Sequence, residues 1–278
     1  PQENLNSNQN RGFEISLGHR GKVGKDFEYS VSANFTYARE KNLHVEHGEY
    51  TSSMDRWQNG SENRNQNVMW LYKYDGQYTS LEQYETAPLL GGNLGNSKML
   101  PGSFRLLDLN GNGMIDWNDR VPEFWATGAN PPIQYGLTLA ASYKNFDLSF
   151  LFRGSVGNDV LNMSRLYYEG FSYFGSNNIL KSTLDHPEYK GGAIYSSRFI
   201  EDGSFVKLDN LTLGYNVPLK GKVISKMRIY VTGQNLLTLT KYKGMDPEVH
   251  LAGLEPGIEW YTFYPRTKTY LLGLNITF

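Results

Sequence analysis

Apolar and polar residues alternate with period two in seven stretches of the chain, separated by intervals where the alternation is lost. In residues 11–20, Phe13, Ile15 and Leu17 alternate with Glu14, Ser16 and Gly18. Phe27, Tyr29, Val31, Ala33, Phe35 and Tyr37 then alternate with Glu28, Ser30, Ser32, Asn34 and Thr36. The pattern returns at Ile133–Tyr143, at Phe146–Arg153, at Ser204–Val217, at Met227–Leu236 and at Tyr270–Phe278. Period two puts successive side chains on opposite faces of a strand, so each stretch predicts a strand with one apolar face. Within Ser204–Val217 the apolar phase changes between Val206/Leu208 and Leu211/Leu213/Tyr215, which predicts a bulge there or a strand leaving an apolar layer. Several stretches exceed the five or six residues usual for a strand of a soluble sandwich. Aromatics at both ends with small or aliphatic residues between them form the girdle pattern of an outer-membrane strand.

The connections support that reading. Short turns alternate with long intervals at about 40–131, 155–200 and 237–265. Bacterial outer-membrane barrels have short periplasmic turns and longer extracellular loops. The expected fold is therefore all-β: a transmembrane antiparallel β-barrel with long extracellular loops, localised in the cell outer membrane. Seven strands are an odd number and too few for a pore, so the expectation is the last part of a larger barrel. The final strand would then pair with one upstream of Pro1. Phe13, Ile15, Leu17, Val31, Ala33, Phe35, Leu137, Leu139, Leu148, Phe150, Leu274 and Ile276 should face lipid, and Ser32, Asn34, Thr138 and Ser149 the lumen. Among the loops, Asn158–Tyr168 reads as a short helix.

Composition narrows the partners. With 20 Tyr, 14 Phe, 5 Trp and 29 Gly in 278 residues the chain is aromatic and turn-rich, and its net charge of −1 offers no footprint for nucleic acid. It has no Cys, so disulfides and thiolate metal sites are excluded. No apolar run is long enough for a membrane helix, and a mean hydropathy of −0.52 is compatible with barrel strands.

One loop stretch carries a metal-binding pattern. Asp108-Leu109-Asn110-Gly111-Asn112-Gly113-Met114-Ile115-Asp116-Trp117-Asn118-Asp119 fits D-x-[DN]-x-[DN]-G with an acidic residue at the twelfth position. Asp108, Asn110, Asn112, the Met114 carbonyl, Asp116 and Asp119 supply oxygens at the spacing a Ca2+ ion requires. Asp119 is one methylene shorter than the usual Glu, and the flanks do not read as paired helices. The other reading is an Asn/Gly-rich turn with solvated carboxylates.

Beyond these patterns, the sequence resembles the C-terminal part of a SusC/RagA-type TonB-dependent outer-membrane transporter. The resemblance rests on Pro101-Gly102-Ser103 leading into Asp108–Asp116 and Asp119-Arg120, and on the run Arg198–Tyr215. It continues through Gly233-Gln234-Asn235-Leu236, Tyr242-Lys243-Gly244-Met245-Asp246-Pro247-Glu248 and the terminal Leu272–Phe278. It implies a 22-stranded barrel that imports nutrient oligomers such as glycans or peptides with a SusD-like surface lipoprotein. The plug domain, the segment contacting the TonB complex and the earlier strands would lie outside this sequence.

The remaining motifs are weaker. His44-x-x-His47 lacks a third ligand. Glu201-Asp202 beside Arg198 reads as an exposed ion pair, and Asp246-Pro247-Glu248 as turn chemistry. No nucleophile elbow, Walker loop or dinucleotide fingerprint occurs, so no catalytic residue is assigned and the chain is not read as an enzyme. Loop aromatics, with Tyr167, Tyr168, Trp260 and Tyr261 as candidates, suit contact with substrate or lipoprotein as well as burial within the loops. Two alternatives remain open: a passive outer-membrane porin, and a soluble calcium-stabilised β-sandwich that binds carbohydrate.

Overall fold

The structure is a computed structural model that describes residues 7–44, 69–91, 102–123, 130–169, 178–185, 194–219, 223–249, 257–260, 262, 264 and 266–278. Seven long strands form one sheet: β1 (Ser7–Val23), β2 (Phe27–His44), β3 (Ile133–Tyr143), β4 (Phe146–Val156), β5 (Phe205–Asn216), β6 (Lys226–Thr240) and β7 (Thr269–Thr277). They pair in sequence order, every neighbour antiparallel, with β1 and β7 at the edges. All seven period-two stretches are strands, and several run further than the alternation alone indicates.

Register converts the sequence pattern into two unlike faces. Val31, Leu139, Phe150 and Leu211 are successive cross-strand partners, and so are Ala141, Leu148, Leu213, Val231 and Leu272. One residue away, Ser30, Ala140, Ser149, Thr212 and Thr232 form the matching row on the other face. Thr212 and Thr232 exchange a hydroxyl hydrogen bond of 2.8 Å across that row. At the short-turn end Phe27, Tyr143, Phe146 and Tyr215 fall in line, the last two with ring centroids 4.8 Å apart. The phase change in β5 is a bulge. Leu151 pairs with Asn210 and Phe152 with Leu208, so Asp209 is the extra residue that keeps Val206 and Leu208 on the face of Leu211 and Leu213.

Close strand contact requires glycine on the polar face, as at Gly273 and Gly214. A Cβ on Gly273 would stand 2.1 Å from the Tyr230 ring, which lies over this cross-strand partner. A Cβ on Gly214 would stand 2.4 Å from Asp147 Oδ2. Across that gap Arg228 of β6 reaches Asp147 of β4, with Nε and Nη2 donating at 2.9 and 2.5 Å.

Hydrophobic burial is distributed the opposite way from a soluble sandwich. Among the described buried apolar residues only Phe205 belongs to the seven long strands; the others, such as Leu71, Phe104, Leu161, Met163 and Phe199, lie in the three long connections. The apolar face of the sheet is bare: Leu213 and Val231, on interior strands, are 51% and 50% exposed. No second sheet among the described residues covers it.

The loops carry short structure of their own. In the first, Met69–Tyr72 pairs with Arg120–Glu123, Tyr74–Gln77 with Phe104–Leu106, and Leu89–Leu90 with Met114–Ile115. In the second, the expected helix Asn158–Tyr168 is half strand. Asp159–Asn162 pairs with Ile200–Asp202 and, in parallel, with Ile258–Glu259 of the third loop, and only then does α1 (Met163–Tyr168) begin. Asn162 caps α1 by accepting from Arg165 N at 2.9 Å, and that capping fixes where strand gives way to helix. Phe104, Leu161, Met163, Leu166, Phe199 and Ile258 make one core from all three loops.

The facing has a direct consequence. In the full-length protein in a bilayer, Ala33→Arg or Leu139→Arg should cost roughly 2–4 kcal/mol, and Thr138→Arg much less. Urea or guanidinium unfolding from lipid vesicles checks this. The reverse order would mean that the register is displaced by one residue.

Candidate functional site

The polar face of the sheet gathers charge at its long-loop end. Arg153 of β4 and Lys207 of β5 are direct cross-strand partners on that face. Two like charges in this position repel unless anions stand between them. The anions come from the stretch following β6. Lys207 Nζ donates to Glu248 Oε2 at 2.5 Å and to Asp246 Oδ2 at 3.2 Å. Arg153 binds both oxygens of Glu248, with Nη2 at 3.0 Å from Oε2, and reaches the bulge residue Asp209 at 3.1 Å. Arg266 approaches the same carboxylates from the side, its Nη1 3.3 Å from Glu248 Oε2 and its Nε 4.0 Å from Asp246 Oδ2. The Glu248 N–H donates to Asp246 Oδ1 at 2.9 Å, which sets the two carboxylates side by side.

Burial grades these pairs. The Lys207 side chain is 0% exposed and those of Asp246 and Glu248 8% and 14%, whereas Arg266 is 48% exposed. Burial of Glu248 works against its charge, but hydrogen bonds from Arg153 and Lys207 outweigh that and hold its carboxyl below the usual range. Asp246-Pro247-Glu248 is thus the clamp that fastens the third loop to the sheet, beyond the turn role its sequence suggests. The cue for it was a lysine and an arginine at polar-face positions of neighbouring long strands.

Two cavities flank the cluster. One of about 440 Å³ is lined by Asn34, Gln134, Arg153, Asn158, Glu248 and Arg266. The other, about 630 Å³, is lined by Asn210, Gln234 and Tyr264 among others, and again by Arg153 and Arg266.

A second ionic group joins the loops. Arg165 of α1 pairs with Glu169 at 2.8 Å and with Glu201, and Arg198 pairs with Glu169 at 3.4 Å. Glu201 also accepts from Lys243 N of the third loop at 2.7 Å. The side chains of Glu169, Glu201, Arg165 and Arg198 are all at most 12% exposed, so the expected exposed pair at Glu201 is a buried tie between loops. The pairing of Asp159–Asn162 with Ile200–Asp202 brings it inside.

The Asp108–Asp119 loop turns as its glycines require, with Gly111 at φ 72° and Gly113 at φ 80°. Asp108 accepts from Gly111 N and Gly113 N, each at 2.7 Å, Asn110 from Asn112 N at 2.9 Å and Asn112 from Met114 N at 2.8 Å. Asp116 caps the turn by accepting from Asn118 N at 2.8 Å, and Asn112 Nδ2 lies 3.4 Å from its Oδ2. Asp119 is fully buried and accepts from Leu109 N at 2.8 Å and Asp116 N at 2.7 Å. It closes the loop on itself. Among the described residues no three His, Cys, Asp or Glu side chains stand close enough together to hold a metal ion.

The candidate aromatics separate. Tyr167 packs against the shared loop core, and Tyr168 is half-buried. Trp260 is 41% exposed. Tyr261, like His47 of the histidine pair, lies outside the described residues.

The fold and this sidedness define one class of protein: the wall of a transmembrane antiparallel β-barrel with structured loops at one end. The chain is 31% identical over 290 residues to the TonB-dependent receptor SusC of Bacteroides thetaiotaomicron, covering 99% of this chain and 27% of that protein. It is 29% identical over 302 residues to TonB-dependent receptor P3 of Formosa agariphila, with 99% and 29% covered. The RagAB peptide transporter structure superposes with a TM-score of 0.72 at 23% identity, over 99% of this chain and 30% of that one, which supports the fold. No protein-family model matches the chain. Over its length the chain is similar to TonB-dependent receptors, SusC among them, and it spans less than a third of the length of these relatives.

The charge cluster gives a graded expectation. Lys207→Met should cost about 3–5 kcal/mol, because Asp246 and Glu248 lose a buried partner. Arg266→Ala should cost only about 0–1 kcal/mol. The folded pKa of Glu248 is depressed, so its contribution should be complete above the ordinary carboxyl value of 4.5 and be lost as pH falls through the lower folded value. Unfolding of the full-length protein as a function of pH, with Glu248→Gln as the insensitive control, measures both.

Proposed function

We propose that this chain forms the C-terminal barrel wall and outer loops of an outer-membrane importer of nutrient oligomers, glycans or peptides. Transport would be energised by the TonB complex, acting on a part of the protein outside this sequence, and shared with a SusD-like surface lipoprotein. The observation that carries the reading is the sidedness of the sheet. A bare apolar face suits lipid, while the opposite face holds ion pairs, amides and cavities suited to a polar lumen. The relatives' names support the TonB link, and the name of the RagAB structure makes peptides a reasonable cargo class beside glycans. A soluble sandwich would need a second sheet over Leu213 and Val231. A passive porin remains the competing membrane reading.

Energy dependence separates importer from porin. Cells expressing the full-length protein and its lipoprotein should lose uptake of their growth-supporting oligomer when a protonophore collapses the proton gradient. Uptake that continues unchanged would favour the porin. Within the importer, Trp260 and Tyr261 with Tyr167 and Tyr168 are proposed to contact cargo or lipoprotein. The half-buried tyrosines should act chiefly through loop order, and Trp260→Ala should weaken lipoprotein or cargo binding without hindering barrel assembly.

We also propose that Asp108, Asn110, Asn112, the Met114 carbonyl and Asp116 bind Ca2+, with Asp119 framing the loop. Five protein oxygens and a short twelfth residue suggest a weak site, in the range of about 10⁻⁴–10⁻³ M. Titration of the chelated full-length protein with calcium should raise its thermal stability, and Asp108→Asn should reduce the response. A melting temperature that is indifferent to both chelator and calcium would leave the loop as a self-capped turn.

A further inference from the structure

Arg266 differs from the other members of the charge cluster in a way that bears on what can lie against the sheet. It lines both cavities, as Arg153 does, but Arg153 is fixed by two contacts to Glu248 and one to Asp209. Arg266 is half exposed, and its nearest carboxylate oxygen is 3.3 Å away. Withdrawing it leaves no buried charge unpaired, since Glu248 keeps Arg153 and Lys207, and Asp246 keeps Lys207. With its guanidinium half in solvent, Arg266 is held only weakly in this geometry. Arg266 can therefore swing at little cost while Lys207 cannot.

The cluster is also balanced. Arg153, Lys207 and Arg266 face Asp209, Asp246 and Glu248, three charges of each sign, so the cluster as a whole carries no net charge. Beside the two arginines and one carboxylate that line each cavity, uncharged polar groups face it, Asn34 and Gln134 on one side and Asn210 and Gln234 on the other, with Tyr135, Leu151 and Phe205 adding apolar surface to the smaller one. Asn158, 3% exposed on the wall of the smaller cavity, has an Oδ1 without a hydrogen-bond partner among the described residues. That oxygen is an acceptor suited to a donor hydroxyl or N–H. The exposed ring of Tyr264 stands at the rim of the larger cavity and offers a flat apolar surface.

We infer that Arg266 is a movable partition and a specificity-determining residue. In place, it divides the trough along the lumen wall into two compartments and keeps the charge cluster beside it balanced, favouring short uncharged polar units of the cargo over ionic ones. Swung aside, it joins the compartments. This rests on the importer reading, in which the polar face lines the transport path.

Thiol labelling tests it without knowledge of the cargo. Asn34→Cys and Gln234→Cys, one in each cavity, are introduced singly into the full-length protein. Each is reacted with cationic, anionic and neutral methanethiosulfonates of similar size, and with a maleimide carrying one glucose unit. With Arg266 present, the cationic and anionic reagents, each normalised to its rate with a free thiol in solution, should react within about threefold of each other, and the glucose-bearing reagent slowly. Arg266→Ala removes one positive charge, and a unit charge acting through solvent at a few ångströms should shift the cation-to-anion ratio by about tenfold toward the cation. It should also accelerate the glucose-bearing reagent several-fold. Arg266→Lys should restore the charge ratio but not the slow entry of the sugar, because an ammonium lacks the planar guanidinium that forms the divider. An unchanged ratio in Arg266→Ala would overturn the charge role, and unchanged sugar entry the partition. Failure of every reagent at both cysteines would show the trough to be covered and overturn the inference entirely. Uptake is not measured in these experiments, so the importer reading would survive any of those failures.

Discussion

Lys207 can be buried against Asp246 and Glu248 only because the strand that carries it has two unlike faces. On one side Val206 and Leu208 project among apolar neighbours, and on the other Lys207 meets the carboxylates of a loop. A fully buried ammonium would be prohibitive alone, and a directly opposed Arg153 makes it worse. The two carboxylates answer both charges, and so the third loop has to return to the sheet at that point. Pro247 and Val249 follow it onto the wall of the smaller cavity. The placement of the loop, the shape of the cavity and the charge balance of the cluster all descend from this pairing.

The same sidedness explains where the hydrophobic core lies. In water, a sheet with Leu213 and Val231 bare would be driven to cover them, and the area involved would favour aggregation. In lipid the face is already solvated, and what remains to be buried is the apolar content of the loops. These therefore assemble a core of their own from Phe104, Leu161, Met163, Leu166, Phe199 and Ile258, and seal it with the Arg165–Glu201 and Arg198–Glu169 pairs. The consequence is a loop structure with a core of its own, on a wall whose strands supply almost none of the buried apolar surface.

Much of the wall was legible in the sequence, because period two is a local signal. The alternation at Phe27–Tyr37 and Ile133–Tyr143 reports the faces directly, and even the bulge at Asp209 appears as a phase change. The loops were far less legible. Asn158–Tyr168 has helical character, but its first half pairs with Ile200–Asp202 and Ile258–Glu259, partners that no local pattern reveals. Glu201 and Asp246-Pro247-Glu248 read as surface and turn chemistry because their cations, Arg165, Lys207 and Arg153, are 36 to 95 residues away in the chain. In the Asp108–Asp119 loop the ligand pattern was visible, but the use of Asp119 as a clip on Leu109 N and Asp116 N was not. A carboxylate at the twelfth position suits either task.

Sidedness is tested most directly by spin-label accessibility in a bilayer. Nitroxides would be attached in turn at Asn210→Cys, Leu211→Cys, Thr212→Cys and Leu213→Cys of the full-length protein, and relaxation by oxygen compared with relaxation by a water-soluble nickel chelate. The two faces described here predict a period-two alternation, with oxygen dominating at 211 and 213 and falling at 210 and 212. Uniform accessibility along the four positions, or the opposite phase, would contradict it.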